Sequence, residues 1–207
     1  MSTFLCENSF VRRAYHHGNL REALIRQGVR LIEENGVNAL TLREIGDRAG
    51  VSRTAAYRHF SDKSELLTAI SEAAFTEFAN ALEAARNSAA PNAFDRLDAM
   101  GRAYLRFAAE HRAYYEVMFG LGCDIGARKV GGSPEGARAF GVLAGTIMEG
   151  QIRGEIRAGD TRMIATVIWA TSHGIATLRQ DIGLGTEEAA AQLMATLSEL
   201  LRHGLAK

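Results

Sequence analysis

The chain has 207 residues, enough for one large or two small domains, and its 47% apolar and 23% charged residues are typical of a soluble globular protein. Its net charge of zero argues weakly against a nucleic-acid ligand, and its two cysteines are too few and too far apart for a disulfide framework or a CxxC metal site. Because no basic start is followed by a long apolar run, we expect neither a leader nor a membrane span, and the predicted location is the cytoplasm. Only two prolines interrupt segments dominated by Ala, Leu, Glu and Arg, so the composition favours an all-α fold.

The first element predicted is a flexible arm over residues 1–17, which lack helical periodicity. Its Arg12 and Arg13 could reach a DNA groove as the arms of some DNA-binding domains do, although a solvated tail is the simpler interpretation. Apolar residues then recur at helical spacing from about Asn19 to Glu34, and the Asn-Gly pair that follows would end this first helix.

Residues 41–60 carry two short helical patterns separated by a Gly-Val-Ser tripeptide. Thr41 and Glu44 are spaced as a capping box at the start of the first helix. Gly50 suits the left-handed conformation that ends it, and Ser52 can cap the second helix. The polar side of this second helix consists of Arg53, Thr54, Tyr57 and Arg58. Such a tight helix–turn–helix braces its second helix for entry into the major groove of DNA.

A longer helix is predicted to connect this small unit to the rest of the chain. Asp62 and Glu65 form another capping box, and an apolar stripe extends from about Lys63 to Arg86. At about 1.5 Å per residue, such a helix is long enough to join the unit to a larger body. The elements predicted beyond it are helices over residues 93–110, 113–119, 135–153 and 160–181, a glycine-rich loop over residues 120–136, and a last helix opening at Thr186.

The N-terminal third resembles the TetR family of bacterial transcriptional regulators. The resemblance rests on TLREIGDRAGVSRTAAYRHFSDKSELLTAI (residues 41–70), and YHHGNLREALI (residues 15–25) is similar to one branch of that family. Trp169-x-x-x-His173-Gly174 looks like the C-terminal domain type named for its Trp-His-Gly signature. The resemblance implies about nine helices, with a helix–turn–helix domain over residues 18–62 and a connector, ligand-binding and dimerisation domain over residues 63–207.

The resemblance also implies a set of DNA-binding residues. Lys63 matches a lysine at the start of the connector helix, where the cation and the helix N-terminus together favour a phosphate. The residues that match backbone-contacting positions are Thr41, Tyr57 and His59. The candidates for base edges are Arg43, Arg53, Thr54 and Arg58, since Arg can hydrogen-bond guanine bidentately and Thr offers a methyl and a hydroxyl. Ser52 completes the set, and for each residue the alternative is a solvated surface side chain.

For the C-terminal body, the resemblance implies small-molecule binding and a homodimer formed through the last two helices. A symmetric dimer would read an inverted-repeat operator in double-stranded DNA. The residues that could line a largely apolar effector cavity are Tyr104, Phe107, Tyr115, Met118, Phe119, Met148, Trp169 and His173. Each of them singly is better explained as core or, for His173, as a structural partner of Trp169. No Cys, Asp or second His lies at metal-ligand spacing from His173, so no metal and no cofactor is predicted.

The function predicted is therefore a ligand-responsive DNA-binding regulator, most simply a repressor that a small molecule releases from its operator. A helical enzyme is one alternative, but no Ser-His-Asp arrangement, Gly-rich phosphate loop or paired-carboxylate motif is present, so no enzyme is predicted. A protein-binding adaptor that uses Tyr57 and Arg58 as interface anchors is another. Specific retention of a promoter fragment would separate the regulator from both.

Overall fold

A computed structural model of the chain describes residues 20–119, 133–181 and 186–206. The predicted arm and most of the predicted glycine-rich loop lie outside these ranges. The described residues form nine α-helices and one short 3₁₀ turn, and they contain no strand, so the all-α prediction is confirmed. No helix within them is long and apolar enough to cross a membrane.

The helices divide into a small N-terminal unit and a larger body. The unit contains α1 (Leu20–Asn35), the 3₁₀ turn (Val37–Ala39), α2 (Leu42–Arg48) and α3 (Arg53–Tyr57). The long α4 (Lys63–Ser88) runs from the unit into a body formed by α5 (Ala93–Glu110), α6 (Arg112–Phe119), α7 (Pro134–Ile152), α8 (Thr161–Asp181) and α9 (Glu187–Leu205).

The N-terminal unit is built around a compact aliphatic core. Leu24, Ile45 and Phe60 are almost completely buried in it, and they come from α1, α2 and the segment after α3. The start of α4 closes this core with Ile70, whose Cδ1 lies only 2.9 Å from where a Cβ on Gly28 would be. Glycine at this position in α1 therefore allows α4 to pack closely against it.

The body has a second core that is rich in aromatic residues. The connector helix α4 contributes to both cores, because its residues up to Ile70 belong to the first and those from Ala74 onward belong to the second. The prediction that this helix joins the two parts is confirmed. At the far end, the segment between α7 and α8 lies against the end of α9, where the amide of Arg157 donates to the carbonyl of Leu205 at 2.8 Å.

The short helix α6 also lies between the two cores. Its Ala113 and Val117 are buried in the N-terminal core, whereas Tyr115 and Met118 are buried in the core of the body. Tyr114 packs against both. Successive residues of an α-helix point in different directions, so eight residues are enough to contact both parts of the molecule.

Three local features go beyond or differ from the sequence predictions. The second helix of the helix–turn–helix ends at Tyr57, and residues 58–60 form a turn in which the amide of His59 donates to the carbonyl of Ala56 at 3.0 Å. The 3₁₀ turn after α1 is absent from the prediction, because three residues are too few to show a helical repeat. At the start of α9, Thr186 is the N-cap residue as predicted, but its side chain makes no capping hydrogen bond.

Candidate DNA interface and ligand core

The turn between α2 and α3 is set by local hydrogen bonds and one glycine. The Thr41 hydroxyl accepts from the amide of Glu44 at 3.2 Å, and the Ser52 hydroxyl accepts from the amide of Ala55 at 3.2 Å. Gly50 between them has a φ of 67°, a conformation that costs glycine little and other residues more. Both predicted N-cap hydrogen bonds are present, but the Glu44 carboxylate accepts from Arg48 and does not complete the predicted capping box with Thr41.

The short helix α3 presents a polar face to solvent. Ala56 is completely buried against the N-terminal core, and the predicted DNA-binding residues on the other side of the helix are exposed. Those exposed residues are Arg53, Thr54, Tyr57 and Arg58. The guanidinium of Arg53 lies over the ring of Tyr57, 5.4 Å from its centroid. This contact orients the two side chains together on the face that is free to meet DNA.

The arginines of this region fall into two groups. Arg48 donates to Glu44 at 3.1 Å and to Glu34 at 2.7 Å, and these hydrogen bonds raise its pKa above the usual value for arginine. Within the described ranges, neither Arg43 nor Arg53 forms an ion pair with a carboxylate. Arg48 therefore ties α2 to α1, while the charges of Arg43 and Arg53 are available to a ligand.

Two further predicted DNA-binding residues lie beside α3. His59 is half-buried in the turn after α3. Lys63 is half-buried at the first position of α4, and its Nζ donates to the carbonyl of Asn38 in the 3₁₀ turn at 3.3 Å. An ammonium group carries three donors, so this bond leaves two that a phosphate oxygen could accept.

In the body, three of the eight predicted cavity residues surround one aromatic ring that is absent from the predicted set. Phe78 of α4 is completely buried, and its ring centroid lies 5.0 Å from Tyr104, 5.0 Å from Phe107 and 5.7 Å from Trp169. Tyr104 and Trp169 are in turn 5.7 Å apart in an edge-to-face arrangement. Edge-to-face pairs are favourable because the positive edge of one ring meets the negative face of the other.

His173 links this aromatic cluster to two phenols. Its Nδ1 lies 2.8 Å from the Tyr115 hydroxyl and 3.2 Å from the Tyr104 hydroxyl, and its ring lies 4.8 Å from that of Phe119. Burial lowers the pKa of His173, and burial together with Tyr115 raises the pKa of Tyr104 well above its usual value. Tyr104 and His173 are therefore uncharged near neutral pH, and His173 Nδ1 lies within hydrogen-bonding distance of both hydroxyls.

The centre of the body leaves little free space. A void of about 30 Å³ lies next to Tyr104, Trp169 and Ser172. A void of this size holds a water molecule or two, whereas pockets for organic ligands measure about 300 to 1,000 Å³. The predicted effector cavity is thus filled by its own side chains in this structure. No group of three His, Cys, Asp or Glu side chains in the described part of the chain could hold a metal ion.

One predicted cavity residue is placed wrongly. Met148 on α7 is 52% exposed and lies on the surface, whereas the other seven residues pack in or against the core of the body. Its neighbour Ile147 is completely buried and takes the inward position. Met148 is an apolar residue one position out of phase with the buried stripe, a distinction that residue type alone does not make.

Met118 is completely buried in the same core as Trp169.

Comparison with known proteins explains why these two sites occur in one chain. Residues 24–70 match the family model described as bacterial regulatory proteins of the tetR family, and residues 97–201 match the model for the tetracyclin repressor-like C-terminal domain. The second match covers half of the chain. The chain belongs to the TetR family. It is therefore a member of a family of transcriptional regulators, as its sequence predicts.

Individual proteins are also similar to the chain. The chain is 43% identical over 56 residues to the class C tetracycline repressor of Escherichia coli, a match that covers 27% of this chain and 26% of that protein. The chain thus aligns with about a quarter of the length of this curated relative. A structure of a protein with unknown function from Rhodococcus sp. RHA1 is 33% identical, with a TM-score of 0.80 over 94% of this chain and 100% of that one.

A more distant structure has the same fold. The fatty acid degradation regulator FadR of Bacillus halodurans is 19% identical, with a TM-score of 0.73 over 87% of this chain and 93% of that chain. At this identity the likeness concerns the fold alone. The C-terminal match does not establish the branch with a Trp-His-Gly signature, which stays a prediction.

Proposed function

We propose that this protein is a sequence-specific DNA-binding transcriptional regulator that inserts α3 into the major groove. The observation that carries the proposal is the exposed polar face of α3, where Arg53 lies over Tyr57 while Ala56 anchors the helix in the core. A helix of five residues exposes few side chains, so these residues dominate what it can read. We assign the N-terminal domain to residues 18–62 and the connector with the regulatory domain to residues 63–207.

The predicted DNA-binding residues take two kinds of role in this proposal. Arg53, Thr54 and Arg58 contact base edges, with Arg43 reading from α2. The residues that hold the phosphate backbone are Thr41, Ser52, Tyr57, His59 and Lys63. Lys63 suits a phosphate because its charge stands at the N-terminus of a 26-residue helix, where the backbone amides also favour an anion.

The protein acts as a homodimer through α8 and α9 in this proposal. Met163, Val167 and Leu178 on α8 are 61%, 55% and 41% exposed, although α8 also buries its other side in the core. Leu193 and Leu200 continue the apolar surface on α9, with exposed fractions of 43% and 66%. An apolar surface of this kind favours a partner of the same shape, and a twofold dimer reads an inverted-repeat operator.

A small, largely apolar effector releases the operator in this proposal, so the protein is a cytoplasmic repressor of the Trp-His-Gly branch. Trp169 and His173 support this branch, because both side chains belong to the central cluster of the body. Binding at Tyr104, Phe107, Tyr115, Met118, Phe119, Trp169 and His173 would require the packed cluster to rearrange. Since α6 has residues in both cores, movement of Tyr115 would shift Val117 against the DNA-binding unit.

The proposal is tested by selecting genomic DNA fragments on the purified full-length protein. We expect specific retention of fragments that contain an inverted repeat, with binding that weakens as salt increases. Tyr57→Ala and Lys63→Ala should reduce the affinity for all retained fragments alike, because both contacts are to the backbone. Retention without sequence enrichment, or equal affinity of these variants and the wild type, would contradict the proposal.

A further inference from the structure

A groove lies between α5, α8 and α9, outside the aromatic cluster. Its volume is about 340 Å³, and its floor is apolar, formed by Leu105, Ala109, Ala190 and Met194. A second groove of about 250 Å³ continues it and shares Leu105 and Ala109 with it. The two together offer a volume in the range of sites that bind organic molecules. Leu193 and Leu200, the α9 residues of the proposed dimer surface, do not line this groove.

The rim of the groove carries an excess of positive charge. Arg106 on α5 and Arg179 on α8 face it from different helices, and neither forms an ion pair with any carboxylate that the structure describes. Arg102, also on the rim, is already paired with Asp98. Arg112 lines the continuation. The rim carboxylates are Glu110 and Glu187, so three guanidinium groups without an ion pair in the described ranges face two carboxylates.

Met194 separates this groove from the small central void. Its side chain is 3% exposed and borders both spaces. Gly101 on α5 makes room for it, since a Cβ at that position would lie 2.7 Å from the Met194 sulfur. A methionine side chain is unbranched and adapts easily to new surroundings. Rotation of Met194 would therefore join the groove to the void beside Trp169.

We propose that this groove binds an amphiphilic organic anion. The acid group pairs with Arg106 and Arg179, which present planar guanidinium groups to it. The apolar part lies along Leu105 and Ala109 and passes Met194 toward Trp169. The site deepens the proposed function, and its role as the effector site rests on that function. Binding itself is measurable without DNA.

The charge requirement is tested with three probes that share one alkyl chain: decanoate, decanol and decyltrimethylammonium. Calorimetric titration of the full-length protein should show binding of decanoate and much weaker binding of the neutral and cationic probes. Replacing both Arg106 and Arg179 by Gln should lower the affinity for decanoate at least about tenfold, because charge-assisted hydrogen bonds are lost. Arg162→Gln is the matched control, since Arg162 is exposed on α8 and borders neither groove.

The path of the tail is tested with Trp169, the only tryptophan of the chain. Decanoate should change its fluorescence, and Met194→Phe, which fills the passage with a rigid ring, should reduce that change while the heat of binding persists. Equal affinity of the protein for all three probes would overturn the anion site. So would a double variant that binds decanoate as tightly as the wild type. If the double variant does not fold, the comparison of probes on the wild type still decides the matter.

The regulatory role has a separate measurement. Decanoate added to the protein on a selected inverted-repeat fragment should lower the affinity for that fragment. Binding of decanoate that leaves the affinity for DNA unchanged would overturn the effector role of the groove. A protein that binds decanoate but retains no DNA fragment would instead overturn the proposed function.

Discussion

The two functional regions of this molecule place their polar groups in opposite ways. In the N-terminal unit a small, mostly aliphatic core supports Arg53 and Tyr57 on the surface, where both side chains are exposed. In the body the polar atoms of Tyr104, Tyr115 and His173 are turned inward and bonded to one another. The unit is therefore ready to bind, whereas a ligand entering the centre of the body must displace side chains first.

The largest effect that tests this contrast is expected from Phe78→Ala. Phe78 is completely buried and contacts three aromatic rings, so its truncation should lower the free energy of unfolding by about 3–5 kcal/mol. The measurement is urea unfolding at a fixed protein concentration, because dimerisation would make stability depend on concentration.

Met148→Ala is the matched control for that variant, since it shortens a large side chain that is 52% exposed in the same body. It should change stability by no more than about 0.5 kcal/mol. A loss below about 1 kcal/mol for Phe78→Ala would mean that the cluster collapses easily around the gap. The body would then be as ready for a ligand as the N-terminal unit is for DNA.

A smaller effect is expected from Arg53→Ala at the exposed site. Because Arg53 makes no ion pair within the described ranges, its loss should leave stability nearly unchanged. It should weaken binding to a selected operator by about 1–3 kcal/mol and relax preference at one base position. Fluorescence anisotropy with single-base operator variants measures both.

Arg30→Ala serves as the control, because Arg30 is exposed on α1 and has no assigned DNA contact. Equal losses for the two variants would show that Arg53 contributes only general charge. If Arg53→Ala left the base preference unchanged, Arg53 would contact the phosphate backbone and not the base edges.

The same contrast marks what the sequence predicts and what it does not. The caps at Thr41, Ser52 and Asp62 are predictable because each hydrogen bond spans three residues and depends on residue type alone. The face of α3 follows from spacing once Ala56 is assigned to the core. Local chemistry thus determines most of the candidate DNA interface.

The body depends on packing between helices that are distant in the sequence. Phe78 fills the centre because α4, α5 and α8 approach each other there, and no local pattern specifies how much space they leave. The void of about 30 Å³ has the same origin. The eight residues of α6 also do not predict that this helix packs in both cores. Periodicity shows which side of a helix is apolar, but not which core that side packs against.

A third prediction concerns the helix that joins the two regions. The Asp62 carboxylate accepts from the amide of Glu65 at 2.8 Å and caps α4. Asp62→Ala should lower stability by about 1 kcal/mol in urea unfolding and should loosen the DNA-binding unit, which depends on the start of α4. Asp62→Asn is the control, because asparagine caps helices about as well. If both variants lose the same stability, the negative charge matters and the hydrogen bond does not.

The smallest effect is the pH dependence that His173 gives the body. Burial holds the pKa of the folded imidazole below 6.5, so between that lower value and 6.5 the unfolded chain binds more protons than the folded one. The part of the free energy of unfolding that depends on the uncharged imidazole is therefore complete above pH 6.5, and it is lost progressively as pH falls toward the pKa of the folded state. Urea unfolding between pH 7.5 and about 5 should show the decline.

His173→Gln should reduce the slope of stability against pH. Tyr115→Phe, which keeps the imidazole, should lower stability and retain that slope. An equal slope in wild type and His173→Gln would mean that the folded protein admits the charged ring, and the centre of the body would then be more open to polar ligands than its packing indicates.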